Sequence, residues 1–366
     1  MGESRKFTVG ILGTGSIFKA YAAGLASVPQ LQVVRVADLD QDRARAAAEQ
    51  FGIPAWGTTE QLLADDSVDI VVNITPPAAH APLTDAALRA GKHVYTEKPL
   101  AATTELARRN MATAEASGRV LGGAPDTFLG AAGQTARAAL DAGLIGTPFA
   151  ATSFVRSSRA QTWHPDPTFL FQAGGGPVLD FGPYHVAALV NLLGPVTDVL
   201  GASGQAQETI AVTSQDRRVD TVDVQVATHA TSVLRFASGT LATTMYSFDV
   251  WDSDTPSIEV YGTEGTLQLP DPNHFDLPVR IRRRDESQWR ELKPVCPPVA
   301  PPAGTPFRGP GVLDLAEHLR GGPHRASAEF AYHVLDVLEL MQAASFESGA
   351  LRVTSTVDRP AAVPHV

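Results

Sequence analysis

An alternation of two segment types between Phe7 and about Gly123 constrains the fold of this chain more than any other feature. Apolar runs of strand length alternate there with amphipathic stretches of helix length. Strands are predicted at residues 7–12, 33–37, 70–74, 93–95 and 120–122, and helices at residues 17–27, 41–51, 79–90 and 104–117. This rhythm predicts β-α-β units that form a parallel sheet, and hence an α/β fold.

The pattern changes after Pro125, where mainly antiparallel structure is expected. Helices are predicted near residues 134–142 and 184–193, and a strand starts at Phe149. Antiparallel neighbours joined by tight turns are predicted at residues 221–227, 232–236, 240–248, 257–261 and 266–269. A Pro-rich stretch at residues 294–310 predicts an extended connector before helices near residues 312–320 and 327–346. We therefore expect two domains, residues 1–124 and residues 125–366, the second of α+β type with a large open sheet.

Composition and charge narrow the possible partners and the compartment. The chain has 366 residues and a formal net charge of -10, which disfavours attraction to nucleic acid or to an anionic membrane. Cys296 is its only cysteine, so no intramolecular disulfide can form, as suits a reducing cytoplasm. The apolar run that follows the charged start is too short for a signal peptide or a membrane span. A cytoplasmic protein without nucleic-acid or membrane partners is expected.

A Gly-x-Gly turn joins the first predicted strand to the first predicted helix. Gly13 and Gly15 lie between the two, followed by Ser16 and Ile17, so that backbone amides and the helix N-terminus can face a pyrophosphate. Such a turn alone is weak support, because ordinary strand-to-helix turns also contain glycines. Phe18 stands where a third small residue is usual, which predicts looser or differently shaped packing of the helix on the strand.

Asp38 supports the interpretation of a dinucleotide site, because it ends the second predicted strand about 20 residues beyond the glycines. A carboxylate there can accept hydrogen bonds from the adenosine ribose hydroxyls and would repel a 2′-phosphate, which favours NAD over NADP. Two alternatives stay open: Asp38 could cap the next helix, and Arg43 or Arg45 could reach a phosphate, so NADP is possible. The first domain is thus predicted to be a Rossmann NAD(P)-binding domain.

Four motifs, taken in order, resemble the glucose-fructose oxidoreductase / inositol dehydrogenase (Gfo/Idh/MocA) family over essentially the whole chain. The motifs are Gly13-Thr14-Gly15-Ser16-Ile17, Asn73-Ile74-Thr75-Pro76-Pro77-Ala78-Ala79-His80, Glu97-Lys98-Pro99-Leu100 and Gly174-Gly175-Gly176-Pro177-Val178-Leu179-Asp180-Phe181-Gly182-Pro183-Tyr184-His185. The resemblance implies hydride exchange between a nicotinamide and a secondary alcohol of a sugar, sugar acid or cyclitol. It also implies that residues 125–366 bind the substrate and form the oligomer.

The resemblance points to Lys98 as the catalytic or substrate-orienting lysine, at the carboxyl edge of the sheet where ligands bind in doubly wound folds. We hypothesise that Asp180 orients the substrate. Family members usually carry the acid/base four residues beyond this Asp, which is Tyr184 here. His185 is kept as a rival because imidazole titrates near neutrality, although one helical step turns it about 100° away. The Lys98-Pro99 bond is expected to be cis.

The resemblance also implies residues for the cofactor pocket, and side-chain chemistry indicates two for the substrate pocket. The cofactor set comprises Gly13, Gly15, Ser16, Ile17, Asp38, Thr75, Pro76, Pro77, His80, Glu97 and Lys98. Trp163 and His164 could stack on and hydrogen-bond a sugar, or could equally anchor a loop. The chain departs from the family at Ala124-Pro125-Asp126-Thr127-Phe128, where an arginine-containing segment is common, which leaves the substrate undefined.

Two further functions compete with net oxidation or reduction. Some relatives oxidise a sugar transiently with a retained NAD and then eliminate or hydrolyse a neighbouring bond. A few proteins of this fold are NAD-responsive regulators, although a sensor would not need Lys98, Asp180 and Tyr184 together. No metal ion is expected, because no His/Cys cluster is spaced to hold one. A homodimer or homotetramer is expected, since an open sheet must cover its outer face.

Overall fold

The structure is a computed structural model that describes residues 6–157, 160–297 and 307–364. Contacts within these residues divide them into two units. Unit 1 comprises residues 6–129 and 307–332, and unit 2 comprises the described residues of 130–297 and 333–364. The predicted division at residue 124 assigns cofactor and substrate binding to separate parts of the chain, and that assignment stays a prediction.

The first part of the chain alternates strands and helices. The elements are β1 (Phe7–Leu12), α1 (Phe18–Ala26), β2 (Leu31–Ala37), α2 (Gln41–Phe51), β3 (Ala55–Gly57), α3 (Thr59–Leu63), β4 (Ile70–Asn73), α4 (Pro77–Arg89), β5 (His93–Thr96), α5 (Thr104–Ser117) and β6 (Leu121–Gly123).

The remainder is richer in strands. Its elements are α6 (Ala131–Asp141), β7 (Pro148–Arg156), α7 (Ala160–Trp163), α8 (Pro177–Asp180), α9 (Gly182–Leu193), β8 (Val196–Gly204), β9 (Thr209–Ala211), β10 (Thr221–Asp223), β11 (His229–Phe236), β12 (Leu241–Ser247), β13 (Ile258–Gly262), β14 (Gly265–Leu269), β15 (Arg280–Arg283), β16 (Arg290–Glu291), α10 (Pro310–His318), α11 (Ala328–Ala343) and β17 (Leu351–Arg352).

Unit 1 contains the predicted parallel sheet. Its strand order is β3-β2-β1-β4-β5-β6, with every described pair parallel. This is the order of a Rossmann fold, so that prediction is confirmed. All four residues of β4 are buried, as a strand covered on both faces requires. The sequence expectations lacked β3, because three residues are too few to show a period.

The chain returns to unit 1 after residue 307, although these residues were predicted to belong to the second domain. Helix α10 contacts β5 and β6 and buries Val312 and Leu315 completely. The Gly311 amide donates to the Asp126 carboxylate at 2.8 Å, and a Cβ at Gly311 would overlap the Tyr95 hydroxyl. This fit joins residues 185 and 216 positions apart in the chain, so no local sequence pattern can predict it.

Unit 2 contains the predicted large sheet, and the prediction of a mainly antiparallel open sheet is confirmed. Among the described residues its order is β16-β15-β14-β13-β7-β12-β11-β8-β17, and only the β7–β12 pair is parallel. Strand β11 alternates buried and exposed residues, as a sheet with one covered face requires. Helix α9, buried along its whole length, contacts β7 and α6.

Two expectations for unit 2 were wrong in detail. The predicted strand at residues 221–227 is the shorter β10, which pairs with β9 in a separate two-stranded sheet. The apolar residues of this hairpin pack into a small core with Leu170, Phe171 and Phe248, so they are buried outside the large sheet. The strands β12 and β13 were expected to be neighbours, but β7 lies between them because it pairs with both.

The predicted extended connector at residues 294–310 falls largely on residues 298–306, which lie outside the described residues. Where the structure describes the chain, none of the helices has the length and apolar character needed to cross a membrane.

Candidate active site

The Gly-x-Gly turn lies at the carboxyl end of β1, in the centre of the unit 1 sheet. Gly13 has φ 99°, a conformation that favours glycine, and its amide donates to the Ala37 carbonyl at 2.8 Å. Gly15 is exposed, and nothing lies within 4 Å of the position that a Cβ would take there. The open main chain before α1 therefore fits a dinucleotide phosphate group.

Phe18 fits this turn by packing sideways. Its ring is 3% exposed and meets the Phe51 ring of α2 edge to face, with centroids 5.4 Å apart. The differently shaped packing that was expected at this position is thus an aromatic contact between two helices.

Asp38 lies at the end of β2 and is almost completely buried. One carboxylate oxygen accepts from the Thr14 amide and hydroxyl, both at 2.7 Å, and the other accepts from the Asp40 amide at 3.0 Å and from Arg43 at 2.9 Å. Burial alone would raise the pKa of Asp38, but these hydrogen bonds outweigh it and lower the pKa to about 2. Asp38 is therefore ionised at neutral pH.

The alternative that Asp38 merely caps the next helix is wrong. The N-cap of α2 is Asp40, whose side chain accepts from the amides of Asp42 and Arg43. Arg43, which was considered as a phosphate ligand, forms an ion pair with Asp38 in this structure.

The segment after β4 is held by side chains of its own loop. The Asn73 side chain accepts from the Thr75 hydroxyl at 2.7 Å and from its amide at 3.3 Å. Pro76 is the N-cap residue of α4 and Pro77 its first residue, so the two prolines form a stiff helix start. His80 follows in the first turn and is 1% exposed.

The Lys98 loop, residues 97–100, follows β5 at the same edge of the sheet. Lys98 itself is half-buried, and the Lys98-Pro99 peptide bond is cis, as expected. The neighbouring Glu97 is buried. One of its carboxylate oxygens accepts from the Lys98 amide at 2.8 Å and the other from the Tyr21 hydroxyl at 2.9 Å. The main chain that carries Lys98 is therefore anchored to β5 and α1.

In unit 2 the candidate residues lie on two short consecutive helices. Gly176, with φ 87°, precedes α8, and the half-buried Asp180 ends that helix. A Cβ at Gly175 would lie 2.5 Å from the Phe169 carbonyl oxygen, so the chain crosses itself closely there. Tyr184, in the first turn of α9, is 8% exposed.

His185 faces the sheet of unit 2. Its Nδ1 lies 2.8 Å from the Ser153 hydroxyl of β7, and its ring contacts Tyr246 of β12 with centroids 5.3 Å apart. Burial lowers the pKa of His185 to about 4. The imidazole is therefore neutral at physiological pH.

Comparison with known proteins agrees with this architecture. Residues 7–123 match the model described as "Oxidoreductase family, NAD-binding Rossmann fold", and residues 134–268 match the GFO/IDH/MocA C-terminal domain. The dTDP-3,4-didehydro-2,6-dideoxy-alpha-D-glucose 3-reductase of Streptomyces violaceoruber is 32% identical over 79% of this chain and 81% of its own length. The chain belongs to the GFO/IDH/MocA family.

Other similar proteins carry names of the same type. The 1,5-anhydro-D-fructose reductase of Ensifer adhaerens is 32% identical over 70% of this chain and 74% of its own length. A levoglucosan dehydrogenase solved with NADH and levoglucosan superposes with a TM-score of 0.80 over 96% of this chain and 100% of that one, at 20% identity. That likeness concerns the fold. The chain is thus an NAD-binding oxidoreductase of the sugar dehydrogenase and reductase type.

The segment where this GFO/IDH/MocA chain departs from the family turns inward. Asp126 is 1% exposed and accepts from the Gly311 amide, and burial raises the pKa of its carboxyl. Thr127 and Phe128 are also buried, with the Phe128 ring 4.8 Å from that of Phe330. In this member the segment helps to hold the returning chain of unit 1.

An aromatic cluster surrounds His164, one of the predicted substrate residues. Trp163 and Phe169 are 65% and 58% exposed, and each ring meets the His164 ring edge to face at 5.3 Å. The Ser214 hydroxyl donates to the His164 carbonyl at 3.0 Å, which ties the segment to the chain after β9. Sequence reasoning missed Phe169, whose only signal is its spacing of five residues from His164.

Where the chain is described, no cluster of three or more His, Cys, Asp or Glu could hold a metal ion.

Proposed function

We propose that the protein exchanges hydride between NAD and a secondary alcohol of a sugar, sugar acid or cyclitol. The observation that carries this proposal is the arrangement at the carboxyl edge of the unit 1 sheet. The glycine turn after β1, Asp38 after β2, Thr75 after β4 and Lys98 after β5 all end parallel strands that are neighbours in one sheet. The sugar names of the relatives support the substrate class.

The residues of unit 1 fit the cofactor in three groups. The amides around Gly13, Gly15, Ser16 and Ile17 would hold the pyrophosphate, and Asp38 the adenosine ribose. Thr75, Pro76, Pro77, His80, Glu97 and Lys98 would shape the nicotinamide side of the pocket. The ionised Asp38 favours NAD, whereas release of Arg43 from it would favour NADP. The bound nicotinamide would supply the two-electron acceptor or donor.

The remaining residues would handle the substrate oxygen and its proton. In the oxidising direction the carbon loses a hydride and the hydroxyl a proton, leaving a carbonyl group. We assign Lys98 to hydrogen-bonding this oxygen, Tyr184, ionised to the phenolate, to receiving the proton, and Asp180 to orienting the substrate. Tyr184 is preferred to His185 because the His185 ring is turned towards Ser153 and Tyr246. Trp163 and His164 are assigned to stacking on the sugar ring.

Reduced-nicotinamide absorbance with pooled pyranoses, sugar acids and cyclitols tests the substrate class, with NAD and NADP in separate assays. Growth of the band with one pool is expected. Silence in every pool despite NAD binding would contradict net oxidation and favour redox-neutral chemistry or a regulator.

Two substitutions test the residue roles. Lys98→Met and Tyr184→Phe are each expected to lower kcat by ~10²- to 10⁴-fold, while NAD binding measured by fluorescence is retained. Lys293→Met, at an exposed lysine of unit 2, is the matched control. A rate near that of the unmodified enzyme in Lys98→Met would refute the assignment of Lys98.

We also propose that the protein is a cytoplasmic homodimer or homotetramer formed through the outer face of the large sheet. Leu200, Val233 and Leu241 are 47%, 36% and 48% exposed, and Val233 pairs directly with Leu200 across β11 and β8. Adjacent exposed apolar side chains of this kind favour a subunit contact. Light scattering after size exclusion measures the mass, and a monomer at micromolar concentration would contradict this proposal.

A further inference from the structure

His80 makes two short contacts that cannot both be hydrogen bonds if its ring is neutral. Its Nδ1 lies 2.7 Å from the Pro99 carbonyl oxygen, and its Nε2 lies 2.7 Å from the Thr75 carbonyl oxygen. A carbonyl oxygen can only accept. Neutral imidazole has one N–H and one lone pair, so one contact would bring two lone pairs together, whereas imidazolium donates from both nitrogens.

The two carbonyls belong to different loops of the proposed active site. Thr75 follows β4, and Pro99 directly follows Lys98 after β5. His80 therefore joins the loop before α4 to the Lys98 loop. It holds the Lys98 loop on the carboxyl side of the lysine, while Glu97 holds the Lys98 amide on the other side.

Some of the groups around His80 raise the pKa of its ring and others lower it. Burial lowers the pKa of His80 below 6.5 and outweighs the Pro99 and Thr75 carbonyls and the Glu97 carboxylate, which raise it. Lys98 lowers the pKa further. Among the described titratable groups, Glu97 and Lys98 have the largest effect on this ring. A buried imidazolium here depends on keeping both carbonyl acceptors in place.

We propose that His80 is a positioning residue that clamps the Lys98 loop to the Thr75 loop by donating from both ring nitrogens, so that one side of the clamp opens when the ring loses its proton. The inference rests on the proposed role of Lys98. His80 acts on the position of Lys98 through the main chain, because both of its ring nitrogens face main-chain carbonyls.

Nitrogen NMR of the ring in the whole unmodified enzyme tests the clamp without an activity assay. As the pH rises across the titration of the folded enzyme, His80 should pass from two protonated nitrogens to one, and the Lys98 amide signal should shift with the same apparent pKa. A ring that stays singly protonated throughout, or that titrates without moving the Lys98 amide, would overturn the proposal.

Two conservative variants separate the two sides of the clamp. The amide of His80→Asn can take the place of Nδ1 and donate to Pro99, whereas that of His80→Gln takes the place of Nε2 and donates to Thr75. The kcat of the Gln variant should fall by ~10- to 100-fold, as expected for a slightly misplaced catalytic group. The kcat of the Asn variant should fall by a smaller factor. The pH profile of kcat in the Gln variant should lack the His80 ionisation.

His318→Gln is the matched control, because His318 lies on α10 of the same unit and contacts only the Gly322 carbonyl and the His324 ring among the contacts described for it. Equal kcat in the Asn and Gln variants, or equal losses in the His318 control, would refute the clamp. An unimpaired Lys98→Met variant would instead refute the proposed role of Lys98. The NMR measurement tests the clamp independently of that outcome.

Discussion

Acidification from pH 7 to pH 5 is expected to destabilise unit 2 through His333. This side chain of α11 is completely buried. Its Nε2 accepts from the Val196 amide at 3.0 Å, so that Nδ1 carries the proton and donates to the Ser355 hydroxyl at 2.8 Å. Burial lowers the pKa of His333 to about 4, although Asp336 and Ser355 act in the opposite direction. Protonation of Nε2 would also remove the acceptor of the Val196 amide.

The sign and size of the effect follow from proton linkage. The folded pKa of about 4 lies below the unfolded value of about 6.5, so the unfolded chain binds the proton first as the pH falls. The contribution to stability is therefore fully present above pH 6.5 and is lost between that pH and 4. Between pH 7 and pH 5 the loss is about 2 kcal/mol.

Urea unfolding at both pH values measures this loss. The His333→Gln variant keeps an acceptor for Val196 but cannot bind a proton, so its free energy of unfolding should fall by about 2 kcal/mol less than that of the unmodified protein. His185 and His324 contribute equally to both proteins. His229→Gln, at a half-buried histidine of β11, is the control. The same pH dependence in His333→Gln and the unmodified protein would refute the reasoning.

Two further predictions concern buried charges in unit 1. Asp38→Asn leaves Thr14 and Arg43 without their charged acceptor. The kcat/KM for NAD should therefore fall by ~10-fold or more relative to the kcat/KM for NADP. An unchanged ratio of these two values would contradict the role of Asp38. Asp314→Asn breaks the buried pair with Arg325, whose atoms are 3.0 Å apart, and should cost about 3–5 kcal/mol in thermal unfolding. A loss below about 1 kcal/mol would show that the pair is dispensable.

The supports of Lys98 show why the proposed site depends on the fold as a whole. The lysine ends a buried strand, its own amide is held by Glu97, and Glu97 is held by Tyr21 of α1. His80 contacts the other side of the loop from α4. Lys98 is thus positioned by its own strand and by two helices whose contributing residues lie 18 and 77 positions from it, and substitutions at these supports are expected to act on kcat through it.

Local patterns were sufficient for much of unit 1. The bounds of β1, α2 and α5 were predicted to the residue, and the other predicted elements of the sheet were shifted by a few residues at most. The position of Lys98 at a strand end and of Asp38 after β2 followed from the same reasoning. These features depend on residues close in the chain, whose apolar period and turn chemistry act locally.

The errors have a different physical origin. The interposition of β7 between β12 and β13, and the return of α10 to β5 and β6, are pairings between distant segments. The sequence of β10 was read as a strand of the large sheet. Alternating apolar residues indicate that one face of a strand is buried, but they do not identify the residues that cover it.

The sequence by itself therefore determined the type of most elements, the glycine turn and the chemical groups at the strand ends. Only the tertiary structure decided which of these groups are buried and against what. His80 meets two carbonyls from separate loops, and His185 meets Ser153 and Tyr246, which lie 32 and 61 residues away. Burial and hydrogen bonding set the proton affinity of a side chain, and both depend on neighbours that come together only when distant segments pack.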